Sequence, residues 1–248
     1  MAGTSDSKKI IDRLIAKKFT HIITTATTLG GQSFKNYSNV LVQKMTSDEM
    51  MEFIEDKSIK LIIDATHPFA YEVSSNAMSA ARTKDISYLR YERKRAKIVG
   101  VKTFENYESI SDELKKTAGN ILLTIGVRNL EYFSGIDRSR LFVKILPVGS
   151  SFVECEKHDI LENNIIAMRG VISVALLRSI IKEFDIKYLV MKDSGVEGGT
   201  ELKIKACKKE RIKAYIIKRR ELAYPEVYED INKLIDSVKE CVMAGNGI

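Results

Sequence analysis

Short apolar runs rich in β-branched residues recur along the chain. Each breaks at a polar or glycine-containing turn and is followed by apolar positions at helical spacing. The clearest case is Leu61-Ile62-Ile63-Asp64-Ala65-Thr66-His67-Pro68-Phe69-Ala70. The first residues read as a buried parallel strand. Val73, Ala77, Ala80 and Ala81 then mark the inward face of a helix. Pro68 suits a first helical turn, which places Thr66 or His67 near the cap and gives Asp64 a capping role as one reading.

The same alternation covers the rest of the chain. Ser5 to Phe19 reads as a helix with Ile10, Ile11, Leu14 and Ile15 inward, capped by Ser5 or Asp6. His21 to Thr25 and Asn39 to Lys44 read as strands, Ser47 to Asp56 as a helix capped by Ser47, and Ile86 to Tyr91 as a strand. The pattern restarts with a helix from Asn106 to Lys116. Strands follow from Ile121, from Leu141 to Leu146 and from Ile165, then a helix through Val174, Leu177, Ile181 and Phe184. Strands from Tyr188 to Met191 and Ala214 to Ile217 flank another helix. A last helix carries Val227, Ile231, Leu234, Ile235 and Val238 on one face. Alternation of this kind predicts parallel sheets with helices on both faces. The length of 248 residues suits two units, with the boundary placed near Val99: residues 1–98 and 99–248.

In such sheets ligands bind beyond the carboxyl ends of the strands, so the turns there hold the candidate chemistry. Gly3-Thr4-Ser5-Asp6 precedes a helix whose N-terminus favours an anion, although one glycine is not a dinucleotide fingerprint and a plain capped turn is the other reading. Thr24 to Gly31 offers hydroxyls and two glycines for a ribose or phosphate, or is simply a loop of turn formers. His67 is of the residue type whose unperturbed pKa lies near neutrality; it either meets a ligand or caps its helix. Gly126 admits close approach and Arg128 provides a bidentate fork. Arg169, Ser173, Lys192 and Ser194 put cations and hydroxyls at two further strand ends, an array suited to a ligand with several carboxylates.

Composition narrows the classes. With 40 basic against 33 acidic residues the net charge is +7, which attracts polyanions. Most lysines are interleaved with acids, as in Lys208-Lys209-Glu210-Arg211, the pattern of solvated helix faces. Arg90-Tyr91-Glu92-Arg93-Lys94-Arg95 is the densest basic stretch, yet no nucleic-acid-binding signature accompanies it. No run approaches a membrane span and no leader pattern is seen. Cys155, Cys207 and Cys241 are dispersed, without metal-ligand spacing. A cytoplasmic protein with reduced thiols, and with neither a bound metal, nucleic acid nor membrane as partner, is expected.

Taken together, the motifs are more specific. Asp64-Ala65-Thr66-His67-Pro68-Phe69-Ala70 followed by Tyr88-Leu89-Arg90-Tyr91-Glu92-Arg93 resembles the precorrin-6A reductase family of cobalamin biosynthesis. Gly3 to Asp6, Thr124 to Arg128, Arg169 to Ser173 and Lys192 to Gly195 continue the resemblance in order across nearly the whole chain. It implies two Rossmann-like lobes with mostly parallel sheets and a cleft between them. It also implies hydride transfer from NADPH, with NADH as the alternative, to a double bond of a tetrapyrrole, precorrin-6A or its cobalt form. On the same basis Gly3, Thr4, Ser5, Thr24, Thr25, His67, Pro68, Gly126 and Arg128 are expected on the nucleotide side. Arg169, Ser173, Lys192 and Ser194 are expected on the substrate carboxylates; no proton donor is assigned. Two departures stand out. The family has Gly-Pro-Phe where this chain has Gly170-Val171-Ile172, and it begins with an apolar strand ahead of the Gly-Thr turn. The first strand of the N-terminal lobe is therefore expected to be missing, and residue 1 not to be the natural start. The alternatives are another nicotinamide-dependent reductase on the same fold, or a nucleotide- or tetrapyrrole-binding protein without turnover.

Overall fold

A computed structural model describes residues 1–245. The apolar runs form strands and the helically spaced segments form helices, in two units: Met1–Arg93 with the chain from Glu221 onward, and Lys94–Arg220.

The first unit opens with α1 (Ser5–Ala16), β1 (Ile23–Thr25), α2 (Thr28–Gln32), β2 (Val40–Val42), α3 (Ser47–Asp56), β3 (Leu61–Asp64), α4 (Tyr71–Thr83) and β4 (Ser87–Tyr91). α1 buries Ile10, Ile11 and Leu14, but Ile15, expected inward, is exposed. Its cap is Thr4, not Ser5 or Asp6, and α3 is capped by Thr46 rather than Ser47. In both cases the hydroxyl one residue earlier has the extended backbone an N-cap needs. α4 begins at Tyr71 with no side-chain cap, so Thr66, His67 and Asp64 do not cap it. Pro68 lies instead in the turn that precedes it.

The second unit contains β5 (Lys102–Phe104), α5 (Tyr107–Lys115), β6 (Asn120–Thr124), β7 (Leu141–Ile145), α6 (Gly149–Lys157), β8 (Ile165–Ala167), α7 (Val174–Glu183), β9 (Ile186–Lys192), α8 (Thr200–Glu210) and β10 (Lys213–Ile217). Its strands form one sheet in the order β5-β10-β9-β6-β7-β8, parallel throughout. Leu122, Leu189, Met191 and Ile216 pack on one face against Leu177, Ile181, Ile204 and Cys207 of α7 and α8.

The chain then re-enters the first unit through β11 (Val227–Tyr228) and α9 (Ile231–Gly245). Residues 99–248 are thus not one lobe. β11 pairs with β4, and α9 lays Leu234, Ile235 and Val238 against Ile10, Leu14 and Leu89. Val227, read at helical spacing with Ile231, belongs to β11. The strands of this unit form two parallel groups, β1-β2 and β11-β4-β3. Met1 and Ala2 lie between them. The Ala2 amide donates to Thr24 O at 2.9 Å, the Met1 ammonium donates to Ile63 O at 2.7 Å, and the Ala65 amide donates to Met1 O at 3.1 Å. Burial lowers the pKa of the Met1 ammonium. Beside these two residues is a cavity of about 560 Å³ whose apolar lining includes Ile10, Ile23, Phe53, Ile62 and Val238. Among the described residues no helix is long and apolar enough to cross a membrane, and no group of three or more His, Cys, Asp or Glu is placed to hold a metal.

Candidate functional site

In the first unit the turn before α1 is built by reciprocal capping. The Ser7 amide donates to Thr4 Oγ1 at 3.2 Å, while Ser7 Oγ accepts from the amides of Gly3 and Thr4 at 3.2 and 3.1 Å. Thr4 Oγ1 donates to Ala65 O at 3.2 Å, which ties this turn to the one after β3. A Cβ at Gly3 would meet nothing within 4 Å, so the space beside it is open to a ligand. Asp6 is buried in the first turn of α1, where it pairs with Arg93 Nε at 2.5 Å; Ser5 Oγ accepts from the same guanidinium at 3.3 Å. Thr24 is half-buried. Thr25 is buried, with its hydroxyl turned to Thr27 O at 3.5 Å.

The Asp64-to-Ala70 segment is held by a charged network beneath it. Asp64 and Arg90 are fully buried and paired at 2.7 Å. Asp64 also accepts from Ser74 Oγ and the Tyr88 hydroxyl, both at 2.6 Å, and from the Thr66 amide at 3.0 Å. Arg90 donates to Thr66 Oγ1 at 3.0 Å and pairs with Glu92 at 2.7 Å. Burial alone would raise the Asp64 pKa, but the Arg90 charge and these hydrogen bonds hold it below its ordinary value. Tyr88 is pushed upward by burial and by Asp64. Two of the arginines in the densest basic stretch are therefore buried ion-pair partners. His67 is half-buried and Pro68 buried. His67 Nδ1 accepts from the Phe69 amide at 3.2 Å, which fixes the neutral ring's proton on Nε2.

In the second unit the turns after β8 and β9 touch. Gly199 has φ +73°, and a Cβ there would lie 2.3 Å from Val171 Cγ1. Thr200 Oγ1 accepts from the Ser194 amide at 3.0 Å and donates to Lys192 O at 3.4 Å. Asp193 is buried and held by Arg219, whose Nε donates to Asp193 O at 2.8 Å. Ser194 is buried and Lys192 half-buried, while Arg169 and Ser173 are exposed. Ser173 Oγ caps α7 by accepting from the Leu176 amide at 3.2 Å. After β6, Gly126 has φ +81° with nothing within 4 Å of its would-be Cβ, and Arg128 is exposed. Burial and the Arg128 charge pull the Lys192 pKa down to about 8.

Two lysines that belong with this group escaped the reading of the turns. Lys144, on β7, donates to Gly170 O at 3.3 Å, and burial lowers its pKa. Lys203, in the first turn of α8, is pulled down to about 8 by burial and by the charges of Lys144 and Lys192. The available signal was Lys144 itself, one cation inside the otherwise apolar run Leu141-Phe142-Val143-Lys144-Ile145.

Comparisons agree across both units. The family described as precorrin-6x reductase CbiJ/CobK matches residues 1–239. The cobalt-precorrin-6A reductase of Methanococcus maripaludis is 35% identical over 243 residues, covering 96% of each chain. That of Methanocaldococcus jannaschii is 31% identical over 244 residues, covering 95% of each. The solved structure of CobK precorrin-6A reductase superposes with a TM-score of 0.79 over 96% of this chain and 94% of its own, at 17% identity. The chain belongs to the precorrin-6x reductase CbiJ/CobK family.

Proposed function

We propose that this chain reduces one ring double bond of precorrin-6A or cobalt-precorrin-6A, giving the 6B product, with a hydride drawn from NADPH. The observation that carries the reading is the family match, which runs through both units without interruption. The excess of basic residues agrees with a substrate and a cofactor that are both polyanions.

The residues present fit a dinucleotide at the turn before α1. Gly3 leaves open space there, and the positive end of α1 lies directly behind it. The pairing of Asp6 with Arg93 neutralises the one carboxylate in that first turn, so it does not repel a phosphate. Thr4 and Ser5 complete this surface, with Thr24 and Thr25 beside it. His67 carries its neutral-ring proton on Nε2, because Nδ1 is already accepting, and Pro68 restrains the backbone that carries it. In the second unit, Gly126 and Arg128 are assigned to nucleotide binding. When bound, the nucleotide supplies the hydride. The chain's own task is to orient two ligands and keep water from them. In the second unit Arg169, Ser173, Lys192 and Ser194 hold substrate carboxylates, with Arg169 supplying a bidentate fork and Ser173 an O–H that remains free to donate while its oxygen caps α7.

The test is an anaerobic assay of the purified chain with both macrocycle forms and both reduced nucleotides. Nucleotide oxidation should match formation of a product heavier by two hydrogens, with NADPH the better donor. Lys192→Ala should raise the macrocycle KM more than the nucleotide KM, since losing a charge-assisted contact costs about 1.5–3 kcal/mol. No oxidation in any of the four combinations would overturn the reading in favour of a binding protein without turnover. Oxidation by NADH alone would overturn the choice of nucleotide.

A further inference from the structure

Lys203 stands where a lysine is disfavoured. It lies in the first turn of α8, with its amide bonded to Gly199 O at 3.1 Å, at the end of a helix that repels cations. The residue is half-buried, and its ammonium group is shielded enough from water to lower its pKa to about 8. The charged and titratable groups that bear on it are Lys144 from β7, Lys192 from β9 and Cys207 from α8 itself. Arg128, which follows β6, bears on Lys192. Burial pushes the Cys207 thiol up to about 12, so it contributes no negative charge near neutrality.

Among the described residues, no carboxylate pairs with Lys203, Lys144 or Arg128. The nearest acid in sequence, Glu201, accepts from the Lys97 amide at 3.0 Å. The sheet register brings Lys144 toward α8. β7, β6 and β9 are adjacent, and Lys144 shares a row with Thr124 and Met191, one residue before Lys192. Residues in one row of a parallel sheet share a face, so Lys144 lies with Met191 on the face that α8 covers, and Lys192 begins on the other. The Gly170 carbonyl that holds Lys144 belongs to the turn that touches Gly199, at the head of α8.

Two lysines on one side of the sheet that no carboxylate pairs among the described residues, one of them on an unfavourable helix end, are a cost to folding that a bound anion removes. We propose that Lys144 and Lys203 form an oxyanion site that takes a carboxylate of the substrate. The assignment to a substrate carboxylate rests on the reductase reading above. The site itself does not.

The probes are citrate and inorganic phosphate, titrated calorimetrically into the whole chain near pH 8, with Lys203→Gln and Lys144→Gln alongside. Citrate should bind the wild type with net proton uptake, measured in buffers of different ionisation enthalpy. Each variant should bind citrate at least tenfold more weakly. Without ligand, Lys203→Gln should melt no lower than the wild type, because it removes an unpaired cation; a lysine with a purely structural role would give the opposite. Citrate should raise the wild-type melting temperature and leave that of Lys203→Gln unchanged. Absence of citrate binding, or equal binding by wild type and variants, would overturn the site. In turnover both variants should raise the macrocycle KM. A raised nucleotide KM with an unchanged macrocycle KM, together with tighter phosphate than citrate binding, would overturn the carboxylate assignment. Citrate binding in a protein that reduces no macrocycle would leave the site standing and fail the reductase reading alone.

Discussion

Replacing Asp64 by Asn removes one charge from a pair that has no access to water. Asp64 and Arg90 are both fully buried at 2.7 Å, and the carboxylate also accepts from Ser74, Tyr88 and the Thr66 amide. Breaking a buried pair from one side costs about 3–5 kcal/mol, because the partner is left charged and unmatched. Arg90 keeps Glu92 at 2.7 Å, which places the expected loss near the lower end, about 3 kcal/mol. For a unit of this size that corresponds to roughly 10 °C in Tm. Hydrogen exchange by mass spectrometry, run with urea unfolding, assigns the loss: peptides from β3 and β4 should lose protection, whereas those from β9 should keep it. The double variant Asp64→Leu, Arg90→Met should recover part of the loss, since it removes both members of the buried pair. The pH dependence has a definite sign. The folded pKa of Asp64 lies below the ordinary 3.8, so its contribution is complete above that value and is lost as pH falls through the folded pKa. Asp64→Asn should therefore flatten the acid side of the stability curve below about pH 4. A loss under ~1 kcal/mol, or equal loss of protection in β9, would refute the reasoning.

Two further substitutions test the turns. Gly199→Ala forces a side chain into a left-handed residue 2.3 Å from Val171 Cγ1; it should cost about 1–3 kcal/mol, and Val171→Ala should restore part of that in thermal melts. Thr4→Ala removes the α1 cap and its tie to Ala65 O; it should cost about 1 kcal/mol by urea titration, with Thr4→Ser close to wild type.

The long β-branched runs were legible in the sequence because a buried parallel strand needs little else. β3, β6 and β9 were all found this way. β5 was missed: Lys102-Thr103-Phe104 is three residues with one large apolar side chain. α6 was missed because it opens on Gly149-Ser150-Ser151, which reads as a loop. The caps at Thr4 and Thr46 were misplaced by one residue, since each is followed by a serine with the same chemistry. The return of the chain was hidden by spacing. Val227 and Ile231 are four apart and look like one helix face, yet only tertiary pairing with Arg90 and Tyr91 decides that Val227 is in a strand. The candidate turns could be located because strand ends are visible. The Asp64–Arg90 pair could not, because 26 positions separate residues that adjacent strands bring face to face. Lys203 was masked by the lysines of its own helix, which local pattern alone does not distinguish.

The gap between β1 and β3 has a mechanical consequence. Among the described residues each of these strands is paired on one side only, and Met1 and Ala2 bridge them just at their carboxyl ends. Residues of both strands line the cavity beside Met1 and Ala2. Compression collapses internal voids, so pressure should act on the described residues of the first unit around this cavity.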